Sequence, residues 1–549
     1  MKAIFPAFLL FASPANADQQ LRAPVVDAND DFGSAMATDG DTLVIGAPKE
    51  DGGSASDQAD NSLTDSGAAY VFVRVAGQWV FQGYLKAPNR DFEFYFGSSV
   101  AISGDTIIVG SPTYGNSAGS FFVDPSGAAY IFTRENGVWN QQQMLAGSNT
   151  GGSDNFGHSV AIDGDTVVVG ARFEAGAGDA LLDSGAAYVF SRSNGTWAEN
   201  RYLKASNASA LDEFGTSVAI SGTIVAVGAP FEDDGGAEAG AVYVFEKGTQ
   251  GWAEQQILRA SDAATGDFFG TSLAMGNGLV IGARGEDDIE NGSGAAYVFQ
   301  KNGGRWTQET RLKAATPSAT AEFGKSVSSD GERIVCGAPG QDTAGNNAGG
   351  AWSFHRSTSG WGLASAISAT NPGAGDGYGA AVSISGMQIF ASSPGENGAT
   401  DTSSNSGAAY AFMLSPNSFS EWISYQGYSG NAALETATPA GNGIPNLLAY
   451  SLKIPVGSGG GGRLPALAPN GSFFMRPISP PEDVRFIWQE SDDLVHWDDL
   501  ASRESGGVWT GDFAANVSEG IPLDGFIEVM VSYSRNSPKL FTRLKVVQK

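Results

Sequence analysis

The pair Phe-Gly or Tyr-Gly recurs seven times along the chain, at Phe32, Phe96, Phe156, Phe214, Phe269, Phe323 and Tyr378, at intervals of 64, 60, 58, 55, 54 and 55 residues. Each copy continues in the same order. A β-prone run ends in Gly-Ala-Pro or a relative (Gly46-Ala47-Pro48, Gly110-Ser111-Pro112, Gly228-Ala229-Pro230, Gly337-Ala338-Pro339), a loop of variable length follows, and a Gly-Ala-Ala-Tyr-x-Phe run closes the pattern. That last run falls at Tyr70, Tyr130, Tyr188, Tyr243, Tyr297 and Tyr410, with Trp352 in the sixth copy. A fixed period of this length means one supersecondary unit stacked on its neighbours, because a single unit cannot bury its own apolar faces.

Each unit reads as four short strands separated by turn signals. Strand A is of the type Ser99-Val100-Ala101-Ile102, B is Thr106-Ile107-Ile108-Val109, C is Ala129-Tyr130-Ile131-Phe132, and D runs from a Trp to a Leu-Lys-Ala-like end. Strand B is apolar on consecutive residues, the pattern of a strand covered on both faces, whereas strand C is expected to alternate. The Trp that opens D occurs only six times, at Trp79, Trp139, Trp197, Trp252, Trp306 and Trp361. After the seventh C strand, Ala409 to Leu414, no such strand follows. Yet Gln20-Leu21-Arg22-Ala23-Pro24 looks like the end of a D strand and precedes the first Phe-Gly at the usual distance. The N-terminal strand is therefore expected to complete the seventh unit and close the array, which removes exposed sheet edges.

Phe-Gly, Gly-Ala-Pro and Gly-Ala-x-Tyr-Val-Phe in fixed order resemble FG-GAP repeats, the units of the integrin alpha-subunit propeller and of many secreted bacterial proteins. The resemblance covers residues 19–414. It implies an all-β fold, a seven-bladed β-propeller closed by the N-terminal strand, whose loops on one face bind partners. Integrin lower-face loops carry Asp-rich calcium sites, but the corresponding connections here are tight turns such as Asp39-Gly40-Asp41, Ser103-Gly104-Asp105 and Asp163-Gly164-Asp165. These suit hairpin chemistry, and no integrin-type calcium loop is expected.

Residues 1–17 read as a signal peptide, with Lys2, an apolar stretch and Ala15-Asn16-Ala17 as a cleavage site, so the expected location is secreted or cell-surface. Residues 18–414 form the propeller. Residues 415–549 form a small β-rich module with a Gly-rich loop at 457–462, one short helix at Ile444 to Leu452, and strands at Val484 to Gln489, Ile527 to Tyr533 and Leu540 to Val547. Gly441-Asn442-Gly443-Ile444 and Asp493-Leu494-Val495-His496-Trp497 resemble a C-terminal module of large secreted bacterial proteins. No run is long and apolar enough for a membrane span, and the expected state is a monomer.

The formal charge is −28, and residues 415–549 hold 14 acids against 10 bases, so −24 lies on residues 1–414. Such a field opposes nucleic acid and anionic membranes. One Cys excludes a disulfide within the chain, and three His leave few residues for zinc sites or His-based triads. Much of the acid sits in the long loops between B and C: Glu50, Asp51, Asp57, Asp60 and Asp65 in blade one, Glu232, Asp233, Asp234 and Glu238 in blade four, Glu286, Asp287, Asp288 and Glu290 in blade five. Three readings of this acid are open: solvated loops that confer solubility, a surface for cations or a basic partner, and a catalytic carboxylate pair. Glu286, Asp287 and Asp288 are the best candidates for a Ca²⁺ site. Blade two instead carries six aromatics, Phe92, Phe94, Tyr95, Tyr114, Phe121 and Phe122, expected either as a binding rim or as packing between two loops.

Ca²⁺ is the one cofactor the residues leave open, without integrin-type calcium loops to hold it. The functional expectation is an exported, non-catalytic recognition or adhesion protein that presents acidic and aromatic loops to an extracellular protein or carbohydrate. The alternatives are a propeller hydrolase or lyase using carboxylates near the axial channel, and a structural cell-surface component.

Overall fold

Four strands per unit, each only three to eight residues long, give every repeat its own antiparallel sheet, and neighbouring sheets cover one another's faces. In the computed structural model the described residues are 19–113, 126–176, 180–342, 345–357, 360–397 and 404–414, together with the strands of the C-terminal part. β1 (Gln19–Leu21) comes first, then blade one: β2 (Ala35–Asp39), β3 (Thr42–Ala47), β4 (Ala68–Val75) and β5 (Gln78–Leu85). Blades two to six repeat this pattern as β6–β9 (99–145), β10–β13 (156–203), β14–β17 (217–258), β18–β21 (269–312) and β22–β25 (326–367). Blade seven takes β26 (Val382–Ser385), β27 (Gln388–Ser393) and β28 (Ala408–Met413) from the end of the array and β1 from its beginning.

The innermost A strands lie side by side around a ring, with β26 returning to β2. β1 pairs antiparallel with β28, Gln19 opposite Ala411 and Leu21 opposite Ala409. Gln19 then clasps blade one: its Nε2 donates to the Trp79 carbonyl at 2.7 Å, and its Oε1 accepts from the Trp79 amide at 2.8 Å. Gln143 holds Trp197 and Gln256 holds Trp306 by the same reciprocal pair, so the seam uses the interior joint's chemistry.

The B strands are buried along almost their whole length, as their apolar runs predict. The C strands depart from the expected alternation: their first five residues are all buried, as in β4, and only the last three emerge. A C strand lies second from the rim, and adjacent blades still cover both of its faces there. Alternation belongs to the outer D strands. Six C/D pairs carry a register shift at the same place, for example between Val71 and Phe72, a bulge that increases the local twist at the rim.

Each repeat's Phe-Gly aromatic packs on the two C-strand aromatics of its own blade. Phe32 meets Tyr70 at 5.4 Å and Phe72 at 6.3 Å, edge to face, and Trp352 replaces the Tyr opposite Phe323 at 5.6 Å. Such pairs are each worth about 0.5–1.5 kcal/mol beyond area burial. The clusters run between blades; one joins Leu21, Phe390 and Ala409 of blade seven to Phe32, Tyr70 and Trp79 of blade one. Cys336 sits fully buried in its B strand opposite Val327, and burial pushes its thiol pKa up.

Leu414–Lys549 form a separate compact unit with a four-stranded and a three-stranded sheet. Its strands Val484–Ser491, Phe526–Ser532 and Phe541–Gln548 fall where β-prone segments were read, within two residues. The helix expected at 444–452, the Gly-rich loop at 457–462 and the signal peptide lie outside the described residues. Among the described residues no helix is long and apolar enough to cross a membrane.

Candidate functional site

The B/C loops and D-to-A linkers share one face of the ring, and short hairpins occupy the other. On the hairpin face the acids have local partners: Asp39 accepts from the Gly104 amide at 2.7 Å and Asp163 from the Gly222 amide at 2.6 Å, each joining two blades. On the loop face each D-to-A linker crosses to the B/C loop of the preceding blade. At six of the seven joints the glycine before the C strand makes a parallel bridge to the next Phe or Tyr, as Gly185 does with Phe214. Gly185 has φ +77°, and a Cβ there would lie 1.9 Å from the Phe214 carbonyl oxygen, so only glycine fits.

Beneath these loops lies a set of buried charges. Glu50, Glu174, Glu232, Glu286 and Glu396 follow their B strands at the same offset, and each is at most 3% exposed. Each pairs with the cation that immediately follows its own blade's D strand. Lys86 reaches Glu50 at 2.5 Å, Lys204 reaches Glu174 at 2.7 Å, and Arg22, just beyond β1, reaches Glu396 at 2.6 Å; Arg259 meets Glu232 and Lys313 meets Glu286. Tyrosine hydroxyls add to three of them, Tyr84 on Glu50 at 2.6 Å, Tyr202 on Glu174 at 2.9 Å and Tyr410 on Glu396 at 2.8 Å.

A third member sits two residues before the Phe-Gly aromatic: Asp30, Asp154, Asp212, Asp267 and Asp376, all buried. Asp212 accepts from the Ser209 amide at 2.7 Å and Asp376 from the Gly373 amide at 2.7 Å, which pins the linker. Burial, then the nearby Glu50, pushes the Asp30 carboxyl up to about 8; burial likewise raises Asp212 to about 6 and raises Asp267. Burial pulls Lys313 down to about 8 and lowers Lys86.

Five blades hold all three ionisable members and two hold none. At these positions blade two has Phe94, Tyr114 and Ala146, and blade six has Ala321, Gln341 and Ser368. No blade is mixed. This joint loss marks the triad as a unit: removing one partner of a buried pair costs about 3–5 kcal/mol, while replacing the set by neutral residues is far milder.

This corrects the solvated-loop reading for part of the acid. Glu50, Glu232 and Glu286 are interior ion-pair members. For the Ca²⁺ candidates, Glu286 and Asp288 do come together, with Asp262, one oxygen of each lying within 4.8 Å of the others. Arg311 Nη1 donates to all three, to Asp262 at 2.6 Å and Glu286 at 2.9 Å, so a guanidinium stands where a cation would sit. Asp287 is exposed.

The aromatics of blade two separate. Phe92 is 56% exposed, Tyr95 is half-buried with its hydroxyl 3.5 Å from Asp65, and Phe94 is 3% exposed in the inter-blade core, at the site where other blades place the buried Asp. Phe94 is thus a packing residue. Tyr114, Phe121 and Phe122 lie outside the described residues. His158 is half-buried, and desolvation, with Arg172 nearby, holds its imidazole down at about 3, hence neutral.

The triads were missed from the sequence although the signal was present. Once the copies are aligned on Phe-Gly and Gly-Ala-Pro, the Asp, Glu and Lys or Arg columns appear, with their joint loss in copies two and six.

Comparison with known proteins agrees with this architecture. The FG-GAP repeat model matches residues 16–72, 79–132, 139–190, 197–245, 252–299 and 306–354, together more than half of the chain. Mouse (Mus musculus) integrin alpha-2 is 35% identical over 116 residues, which is 19% of this chain and 9% of the integrin. The seventh repeat, with Tyr378 for Phe, Ser392-Ser393-Pro394 for Gly-Ala-Pro and its D strand at the other end of the sequence, lies beyond the matched segments yet forms a full blade. The chain belongs to the FG-GAP repeat family, with an integrin alpha-like β-propeller.

Proposed function

We propose that this protein is an exported recognition or adhesion protein that binds an extracellular protein or carbohydrate through the loop face of the propeller and performs no chemistry of its own. The observation that carries the reading is the asymmetry of the two faces. One is closed by short hairpins that bond to one another, and the other presents long loops on a rigid base of inter-blade bridges and buried ion pairs. Rigid scaffolds bearing variable loops are the usual seat of recognition, because binding then orders little additional chain. Likeness to an integrin alpha subunit supports a protein or glycan ligand outside the cell.

A glycan array and an extracellular-protein array probed with the secreted full chain, in calcium and in chelator, test this. Saturable binding that is lost when exposed loop residues such as Asp287, Ile289 and Glu290 are replaced by Ser is the expected result. Absence of binding to both arrays in both conditions would overturn it. Because Arg311 fills the Asp262, Glu286 and Asp288 cluster, binding is expected to survive the chelator.

A further inference from the structure

Among the described residues six equivalent rungs join the loop face from blade to blade, and they serve as controls for one another. In each, the amide three residues before the Phe-Gly aromatic donates to a carbonyl in the preceding blade's B/C loop. The pairs are Asn29 to Ser404 (2.7 Å), Glu93 to Thr64 (3.1 Å), Leu211 to Leu182 (2.8 Å), Gly266 to Ala237 (2.9 Å), Thr320 to Asn291 (2.7 Å) and Gly375 to Asn346 (2.9 Å). Five rungs use polar or small residues. The rung between blades three and four is a leucine pair, and both side chains face solvent, Leu182 at 62% and Leu211 at 56%, with Leu181 beside them at 38%.

Leu211 is costly in two ways. It exposes a large aliphatic side chain, and it adopts φ +71°, a left-handed conformation that the other rungs give to Gly, Asn, Thr or Glu. A non-glycine residue in this region is strained, and the Leu211 side chain, 56% exposed, is in none of the buried clusters that would offset the strain. The neighbouring charge is predominantly acidic: Asp183 follows Leu182, Glu213 follows two residues after Leu211, and exposed Asp233 and Asp234 lie close enough to Asp212 to raise its pKa. Arg172 offsets Glu213 at 3.6 Å, and Arg259 offsets Asp234 at 3.1 Å.

We propose that Leu181, Leu182 and Leu211 form the docking anchor for a protein partner, whose contacting segment carries large apolar side chains flanked by Lys or Arg. Apolar anchors supply affinity at the centre of an interface, and the surrounding carboxylates select a basic segment over an acidic one. This rests on the recognition role proposed above and assigns it a place and a partner chemistry.

The probe is a phage-displayed library of random twelve-residue peptides, panned on the full chain and on the Leu182→Asn/Leu211→Asn double variant. The parent is expected to enrich peptides combining Leu, Ile, Phe or Met with Lys or Arg. A synthetic copy of an enriched peptide should bind the variant at least roughly 30-fold more weakly in fluorescence anisotropy, the loss typical of a hot spot. The melting temperature of the variant should equal or exceed that of the parent, because Asn suits the left-handed conformation, so lost binding cannot be put down to unfolding. Enriched peptides that bind parent and variant alike would overturn the anchor while leaving recognition elsewhere on the face intact. Peptides without the apolar and basic combination, or no enrichment at all, would also overturn it, and the array experiment then decides the broader role separately.

Discussion

Glu50 and Lys86 are almost completely buried, side chains 4% and 0% exposed, and each is the other's charged partner. Glu50→Gln leaves an unpaired buried ammonium and is expected to destabilise by about 3–5 kcal/mol, whereas Glu50→Gln with Lys86→Met should recover most of that loss, as blades two and six do with their neutral sets. Denaturant unfolding of the two variants measures the difference, and equal losses would mean that the pair is not coupled. Asp30 gives a pH signature. Its folded-state pKa of about 8 is above the unfolded value of about 4, so the folded state binds the proton more tightly. The stability associated with that proton is fully present below about pH 4 and is lost as pH rises toward 8. Asp30→Asn keeps the shape without the titration and should raise the melting temperature at pH 9 by several degrees while changing little at pH 4. An unchanged profile would show that Asp30 stays ionised in the fold.

Among the elements, β1 is the shortest strand of the propeller and carries the most topological weight. Its three residues, with Arg22 just beyond, supply a ladder to β28, the Gln19 clasp on Trp79 and the Arg22 to Glu396 ion pair. Deleting residues 19–22 removes all three and strands Glu396 without its cation. The expected outcome is a fall in melting temperature of at least ten degrees, with early proteolysis at blades one and seven; thermal melts matching the parent would refute closure by this strand. Gln19→Ala tests the clasp alone and should cost about 1–2 kcal/mol, because two hydrogen bonds go while the backbone ladder remains. The C strands teach a related point. Alternation was expected from Tyr and Phe two residues apart, but a strand sandwiched between two blades is buried on both faces, and that is decided by the neighbour rather than by the strand's own pattern.

At the scale of the molecule, blade count, strand order and ring closure were legible in the sequence because each is a periodic demand. Four β-prone runs with glycine punctuation, repeated seven times in one order, specify the same unit each time, and six tryptophans with seven Phe-Gly copies leave one D strand to be supplied from the N-terminus. Charge was less legible. Runs such as Glu286-Asp287-Asp288 look uniform, yet Glu286 is interior, Asp288 binds Arg311 and Asp287 is exposed. Which acid turns inward depends on Lys313, a residue just past the D strand that meets Glu286 only when the sheet is assembled. The leucine rung is of the same kind, since Leu182 and Leu211 become neighbours only when the linker crosses to the preceding blade. Sequence by itself determined the repeat, the strands and the seam, because local patterning and turn chemistry specify them; tertiary structure alone decided which charges are partnered and which side chains share a surface, because those depend on distances between blades.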